Sequence, residues 1–213
     1  MISILDISNS CIRKEIEVHS HHVDEKSDLF HSFDGGSTEI EYLNLLSSLI
    51  GVLKPNAVLE TGCYFGYGTS FMAAALKQNG FGKIISLDSD LRAIDIAKNK
   101  SIENNVSEYI DFIHCDSISY LEKTDNVFDF SLFDSFLPIR AEECKICIER
   151  KLMKSGSVVS FHDSSKLRTP CNDSSKRDPE SIIFWQEIEK IRHYFSDFFE
   201  FPLSRGLLLS KIK

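Results

Sequence analysis

Val58-Leu59-Glu60-Thr61-Gly62-Cys63-Tyr64-Phe65-Gly66-Tyr67-Gly68-Thr69 sets the architecture of this 213-residue chain. Val58 and Leu59 read as the end of a buried strand, Thr69 as a helix cap, and Phe71 to Leu76 as the helix that follows. The strand, turn and helix make a nucleotide-type cradle. Gly62 can take backbone angles forbidden to other residues, and Gly66 and Gly68 remove side chains where a ligand or the helix must approach the backbone. Glu60 sets this turn apart from a phosphate cradle. A carboxylate beside a helix N-terminus suits a ligand that brings a positive charge or amino group, and it would repel a pyrophosphate. The spacing Gly-x-x-x-Gly-x-Gly also differs from the dinucleotide pattern Gly-x-Gly-x-x-Gly, and no Lys-Ser or Lys-Thr pair follows as in a P-loop.

Working outward, Gly82 to Leu87 gives a second short apolar strand that ends in Asp88. This acid lies at about the distance where a nucleoside fold places its ribose-binding carboxylate, so Asp88 is the expected hydroxyl acceptor. A third strand, Tyr109 to His114, ends in Cys115-Asp116-Ser117. A fourth, Phe128 to Phe133, ends at Asp134-Ser135, and a fifth, Gly156 to Phe161, ends at His162-Asp163. One Asp after a strand is commonly a turn former. Five strands finishing in polar residues point instead to one crevice, because open α/β sheets bind ligands outside the carboxyl ends of their strands.

Helical patterns fill the intervals. Thr38-Glu39-Ile40-Glu41 reads as a capping box, followed by Leu43, Leu46, Leu49 and Ile50 on one face up to the Lys54-Pro55 break. Further helices are expected from Leu91 to Glu103 and from Ala141 to Met153, the latter closed by Gly156. Asp178-Pro179 opens a last helix whose Phe184, Ile188, Ile191 and Phe195 form a buried stripe. Phe198 to Leu203 and Gly206 to Ile212 can pair as a hairpin at the sheet edge. The alternation predicts an α/β, doubly wound, mostly parallel sheet with helices on both faces.

Composition bounds the function. With 42% hydrophobic and 26% charged residues the chain suits one full domain, expected over residues 37–213, with residues 1–36 as an N-terminal extension or lid. A net charge of -8 argues against a nucleic-acid partner, whose phosphates call for a basic surface, so a small-molecule acceptor is expected. No apolar run is long enough to span a bilayer and no signal-peptide pattern opens the chain, which together predict no membrane partner and a cytoplasmic protein. The six cysteines are scattered, Cys63 and Cys115 in apolar contexts, as reduced thiols would be. Cys144-x-x-Cys147 lacks the second pair a zinc site needs and shares a helix face with Ile148, so core packing is expected. His19, His21, His22 and His31 leave open a metal site or a flexible arm.

Residues 58–69 resemble the first motif of class I S-adenosylmethionine-dependent methyltransferases. The resemblance extends over residues 38–213 and is nearest to small-molecule O-methyltransferases of the catechol type. It implies a Rossmann-like, seven-stranded sheet closed by a C-terminal antiparallel hairpin, with S-adenosylmethionine as cofactor. The cofactor-binding set it implies is Glu60, Gly62, Tyr64, Gly66, Gly68, Thr69, Asp88, Asp116, Ser117 and Asp134, with Asp116 at the adenine amino group.

Methyl transfer from a sulfonium requires the protein to align the acceptor, exclude water and deal with a hydroxyl proton. Asp134, His162 and Asp163 lie beyond strands four and five and are the candidate catalytic residues. In the relatives, acids in these places hold a divalent cation. Asp134 matches, whereas the fifth-strand pattern Asp-Asn is replaced by His162-Asp163-Ser164. Two mechanisms therefore stay open: Mg²⁺ or another divalent cation held by Asp134 and Asp163 with His162, or His162 as a metal-free general base. Ser164 to Ser181 is the expected acceptor-specifying loop. Its Lys166, Arg168, Lys176 and Arg177 are read either as solvated surface charge or as recognition of an anionic acceptor. A non-catalytic S-adenosylmethionine-binding protein and a polyamine-synthase-like aminopropyl transferase are the alternatives, and a homo-oligomer is left open.

Overall fold

The computed structural model describes residues 29–169 and 176–213. Helix α1 (Ile40–Leu53) precedes strand β1 (Ala57–Thr61), which feeds α2 (Tyr67–Asn79), β2 (Lys83–Asp88), α3 (Leu91–Glu103) and β3 (Ile110–His114). A short α4 (Ser117–Leu121) leads to β4 (Phe128–Phe133), α5 (Arg140–Glu149), β5 (Met153–His162) and α6 (Pro179–Lys190). Strands β6 (Phe199–Phe201) and β7 (Leu207–Lys211) close the chain. All seven strands form one sheet in the order β3-β2-β1-β4-β5-β7-β6. Strands β1 to β5 pair in parallel, and β7 runs antiparallel between β5 and β6. The chain thus lays down β1, β2 and β3 in one direction and then returns to β4 on the other side of β1. Its switch point falls between the carboxyl ends of β1 and β4, where a crevice must open.

Strand alternation divides the core between the two faces. Val58 points to one side with Leu43, Leu46, Ile50, Phe71, Met72 and Phe130, while Leu59 points to the other with Phe133, Phe161, Phe184 and Ile188. Burying each of these side chains contributes about 1.5–3 kcal/mol. Cys144 and Cys147 lie wholly inside the second cluster as free thiols, as their shared helix face predicts. Among the described residues no helix is long and apolar enough to cross a membrane. His19, His21 and His22 lie outside the described residues, and His31 pairs with Glu41 at 2.8 Å.

Four local expectations are corrected. Helix α5 ends at Glu149 and not at Met153, because Lys151 turns the backbone with φ 60° and Met153 already begins β5. Gly156, expected to close that helix, sits inside β5 with φ 95°, where the β4–β5 register shifts between Phe128 and Phe130. Thr38-Glu39-Ile40-Glu41 makes no capping box: Glu39 is the N-cap residue of α1 but gives no side-chain cap, and Thr38 and Glu41 bond elsewhere. Thr69 likewise is no cap, since α2 starts from Gly66 in the left-handed region.

Candidate active site

A cavity of about 350 Å³ opens at the switch point and is walled by the carboxyl ends of β1, β2 and β4 and by the turns after them. Gly62 makes the close approach between β1 and β4 possible. Its φ is 82°, and a Cβ there would stand 2.4 Å from the carbonyl oxygen of Asp134. Gly66, with φ 76°, lets α2 start against α3, since its Cβ would lie 2.7 Å from that of Ala97. At Gly68 a Cβ would come within 3.2 Å of the Glu60 carboxylate.

Glu60 is 1% exposed yet borders the cavity. The hydroxyls of Thr69 and Ser86 both donate to its Oε2. Burial raises its pKa to about 7 against the opposing pull of these two hydroxyls. The group is therefore poised between acid and carboxylate, and a cationic ligand entering the cavity would favour the carboxylate.

Asp88 accepts from the Tyr64 amide through Oδ2 and from the Asp90 amide through Oδ1, both at 2.9 Å, so it ties the glycine turn to the end of β2. Asp116 caps α4 by accepting from the Ser119 amide at 2.8 Å. Ser117 donates to the buried Glu143, which also receives the hydroxyls of Thr61 at 2.9 Å and Ser135 at 2.8 Å. One carboxyl on α5 thereby joins the ends of β1 and β4 and the start of α4. Burial pushes the Glu143 pKa up, partly offset by those three hydroxyls and Arg140.

At the other end of the cavity Asp134, His162 and Asp163 come together, each offering a ligand atom within 4.8 Å of the others. His162 does not line the cavity and is 1% exposed. Its Nδ1 faces Asp134 at 3.0 Å and its Nε2 faces Glu39 at 2.6 Å. Burial alone would lower its pKa, but the carboxylates of Asp134, Asp163 and Glu39 outweigh it and raise the imidazole to about 9. A ring raised in this way is protonated at neutral pH, and each nitrogen then has a carboxylate to donate to. Glu39 is held at about 2, where burial is overcome by His162, Arg205 and Ser204.

A divalent cation does not fit this cluster. Nη2 of Arg140 stands 3.1 Å from Asp134 and 3.4 Å from Asp163. Arg168 and Arg205 approach the second oxygen of Asp163 at 3.4 and 3.6 Å, and Arg168 also pairs with Asp178 at 2.7 Å. Three guanidinium groups and one imidazolium thus face Glu39, Asp134, Asp163 and Asp178, and the charge is already balanced. Adding two more positive charges would leave this set of four acids and four cations with an excess of positive charge.

Glu60, Gly62, Tyr64, Gly68, Asp88, Asp116, Ser117, Asp134 and Asp163 therefore share one cavity wall. Gly66, Thr69 and His162 stand behind it. Thr38, Glu39, Arg140, Glu143 and Arg205 were not expected at the site. Thr38 donates to Asp134 at 2.8 Å, and Gly36, on the extension side of the expected domain boundary, lines the cavity against Tyr64. Of the basic loop residues, Lys166 pairs with Glu200 at 2.8 Å and Arg177 donates to the Lys166 carbonyl.

Residues 59–164 match the family model described as a methyltransferase domain. The fold is that of the class I S-adenosylmethionine-dependent methyltransferases. Within that class it is similar to O-methyltransferases. A caffeoyl-CoA O-methyltransferase-like protein of Arabidopsis thaliana is 26% identical over 124 residues, covering 57% of this chain and 52% of the relative. The chain spans about half the length of that relative. In fold it is similar to the O-methyltransferase TomG of Streptomyces achromogenes, solved with S-adenosylmethionine, at TM-score 0.71 and 16% identity over 100% of this chain and 97% of that one. An O-methyltransferase of Bacillus cereus in complex with S-adenosylhomocysteine gives 0.68 and 16% over 99% and 90%.

Proposed function

We propose that this protein transfers the methyl group of S-adenosylmethionine to a hydroxyl of a small acceptor. The observation that carries the reading is the single cavity at the β1/β4 switch point, with Glu60, Asp88 and Asp116 along one side and Asp134 at its end. In this reading Glu60 faces the amino acid end of the cofactor, Asp88 the ribose hydroxyls, and Asp116 with Ser117 the adenine amino group. Residues 37–213 form the transferase domain, and Gly36 to Thr38 close the cavity from the side of the extension.

The acceptor oxygen attacks the methyl carbon in line with the carbon–sulfur bond, whose electron pair returns to sulfur and leaves neutral S-adenosylhomocysteine. The hydroxyl proton goes to the carboxylate of Asp134, which is 17% exposed and reaches the cavity. His162 serves as a positioning residue, because both its nitrogens already donate to carboxylates and neither is free to take a proton. The fixed donors around Asp134 hold it in one orientation, so little reorganisation is needed at the moment of transfer.

The Arabidopsis relative's name suggests an aromatic acceptor carrying an acyl-CoA. The basic side chains of the Ser164–Ser181 loop give that anionic reading little support, since Lys166, Arg168 and Arg177 bond within the protein. A neutral hydroxylated metabolite is the better first choice.

Calorimetric titration with S-adenosylhomocysteine tests the cradle. Asp88→Ala is expected to weaken binding at least about tenfold, the loss of one good hydrogen-bonding carboxylate. Absence of binding to the unaltered chain would sink the reading. Binding without turnover across a broad panel of hydroxylated acceptors would favour a non-catalytic binding protein.

A further inference from the structure

We infer that Arg140 takes the place of a divalent cation in this site, so that the cluster of Asp134, Asp163 and His162 works without a metal ion. The inference deepens the proposed transferase reading and rests on it for the role of the cluster in transfer.

Asp134 and Asp163 are the acids that would hold a cation, and Nη2 of Arg140 pairs with both of them. Its placement is fixed from every side. Arg140 is 3% exposed, its Nε donates to the Ser135 carbonyl at 2.8 Å, Nη2 also reaches that carbonyl, and Nη1 donates to the carbonyl of His162. These carbonyls follow β4 and end β5, so the guanidinium is clamped between the two strand ends that present the acids. A surface arginine could swing aside for an entering ion. This one would have to leave a buried position and abandon two backbone carbonyls that nothing else described would satisfy.

The charge balance points the same way from separate residues. Arg168 and Arg205 both approach Asp163, and Arg205 also lies 3.5 Å from Glu39. Asp163 is thereby approached by fixed cations at both of its oxygens, by Arg140 at one and by Arg168 and Arg205 at the other. A planar guanidinium keeps its charge at any working pH and, unlike a metal ion, offers no open coordination position. It orients Asp134 and provides a standing positive potential for the oxygen that gains charge when the acceptor loses its proton. Arg140 is therefore a positioning residue that supplies the electrostatic part of what a cation would supply.

The test uses the full chain, stripped with EDTA, and reads Mn²⁺ binding by calorimetry and by the electron paramagnetic resonance of the free ion. The unaltered protein is expected to show no saturable Mn²⁺ binding, and methyl transfer is expected to run undiminished in EDTA. Arg140→Ala should gain Mn²⁺ affinity by at least about tenfold, a gain that Asp134→Asn removes in the same background. Arg140→Lys should restore the charge and show no such gain. Stoichiometric Mn²⁺ binding by the unaltered chain that is lost in Asp163→Asn would overturn the inference. If Arg140→Ala does not fold, the titration of the unaltered chain still decides. The Mn²⁺ titration needs no cofactor, so its outcome is separate from failure to bind S-adenosylhomocysteine, which would count against the transferase reading alone.

Discussion

Glu60 concentrates the tension of this site in one side chain. It is buried at the end of a strand, satisfied by two hydroxyls, and holds its proton up to about pH 7, against 4.5 when exposed. A carboxyl whose folded pKa is raised contributes stability that is fully present below 4.5 and lost as pH rises through about 7. Melting curves of the cofactor-free protein should therefore show its advantage over Glu60→Gln shrinking across that window and levelling off above it. Because Glu143 is raised in the same direction, the comparison with the variant is what isolates Glu60. Cofactor binding should also release a proton just below pH 7, since a cationic ligand favours the carboxylate. Calorimetry in two buffers of different ionisation enthalpy would detect it, and equal heats in both would refute the link. Gly62 is the complementary case, where space decides. Gly62→Ala is expected to cost at least about 2 kcal/mol in denaturant unfolding, combining left-handed strain with a collision against the Asp134 carbonyl.

Secondary-structure elements were legible wherever periodicity carried the signal, and less so at their ends. The expected α3 span, Leu91 to Glu103, is the observed one, because the apolar stripe and the Asp90 cap agree. Helix α5 was overrun because Leu152 and Met153 continue an apolar pattern that a strand satisfies equally well. At the start of α1, Thr38 and Glu39 carry the composition of a cap while their side chains turn to Asp134 and His162. Composition names the residues that can bond locally and cannot say that a distant partner outcompetes the local one. Gly51 offers a test confined to one element. It lies in the last turns of α1, and beyond its chain neighbours and the helix's own backbone no atom lies within 4 Å of where a Cβ would be, so Gly51→Ala should stabilise by about 0.5–1 kcal/mol in the same unfolding assay. A loss of stability there would show that the helix end needs glycine for a reason its surroundings do not display.

Across the whole molecule, the polar cluster acts as a fastener between segments remote in sequence. Glu39 receives the Nε2 proton of His162, the hydroxyl of Ser204 and the Arg205 amide, so it joins the start of α1, the end of β5 and the turn before β7. Removing it leaves a buried imidazolium without one of its acceptors. Glu39→Ala is expected to cost about 3–5 kcal/mol, the penalty for breaking a buried ion pair. A chemical denaturation midpoint unchanged by this substitution would contradict the assignment. What the sequence determined alone is the alternation of strands and helices, the glycine turn after β1, and the acids that end β2, β3 and β4, because periodicity, backbone permissiveness and strand-end position are local properties. What needed the tertiary structure is which charges meet. Glu39, Arg140 and Arg205 stand 101 and 65 positions apart along the chain, as their numbers show, and each is an ordinary surface residue type. Only the return of β4 and β5 beside β1, and the antiparallel closure by β7, bring them against Asp134, His162 and Asp163. Their electrostatic effect depends on separation and burial in space, and neither is written in residue order.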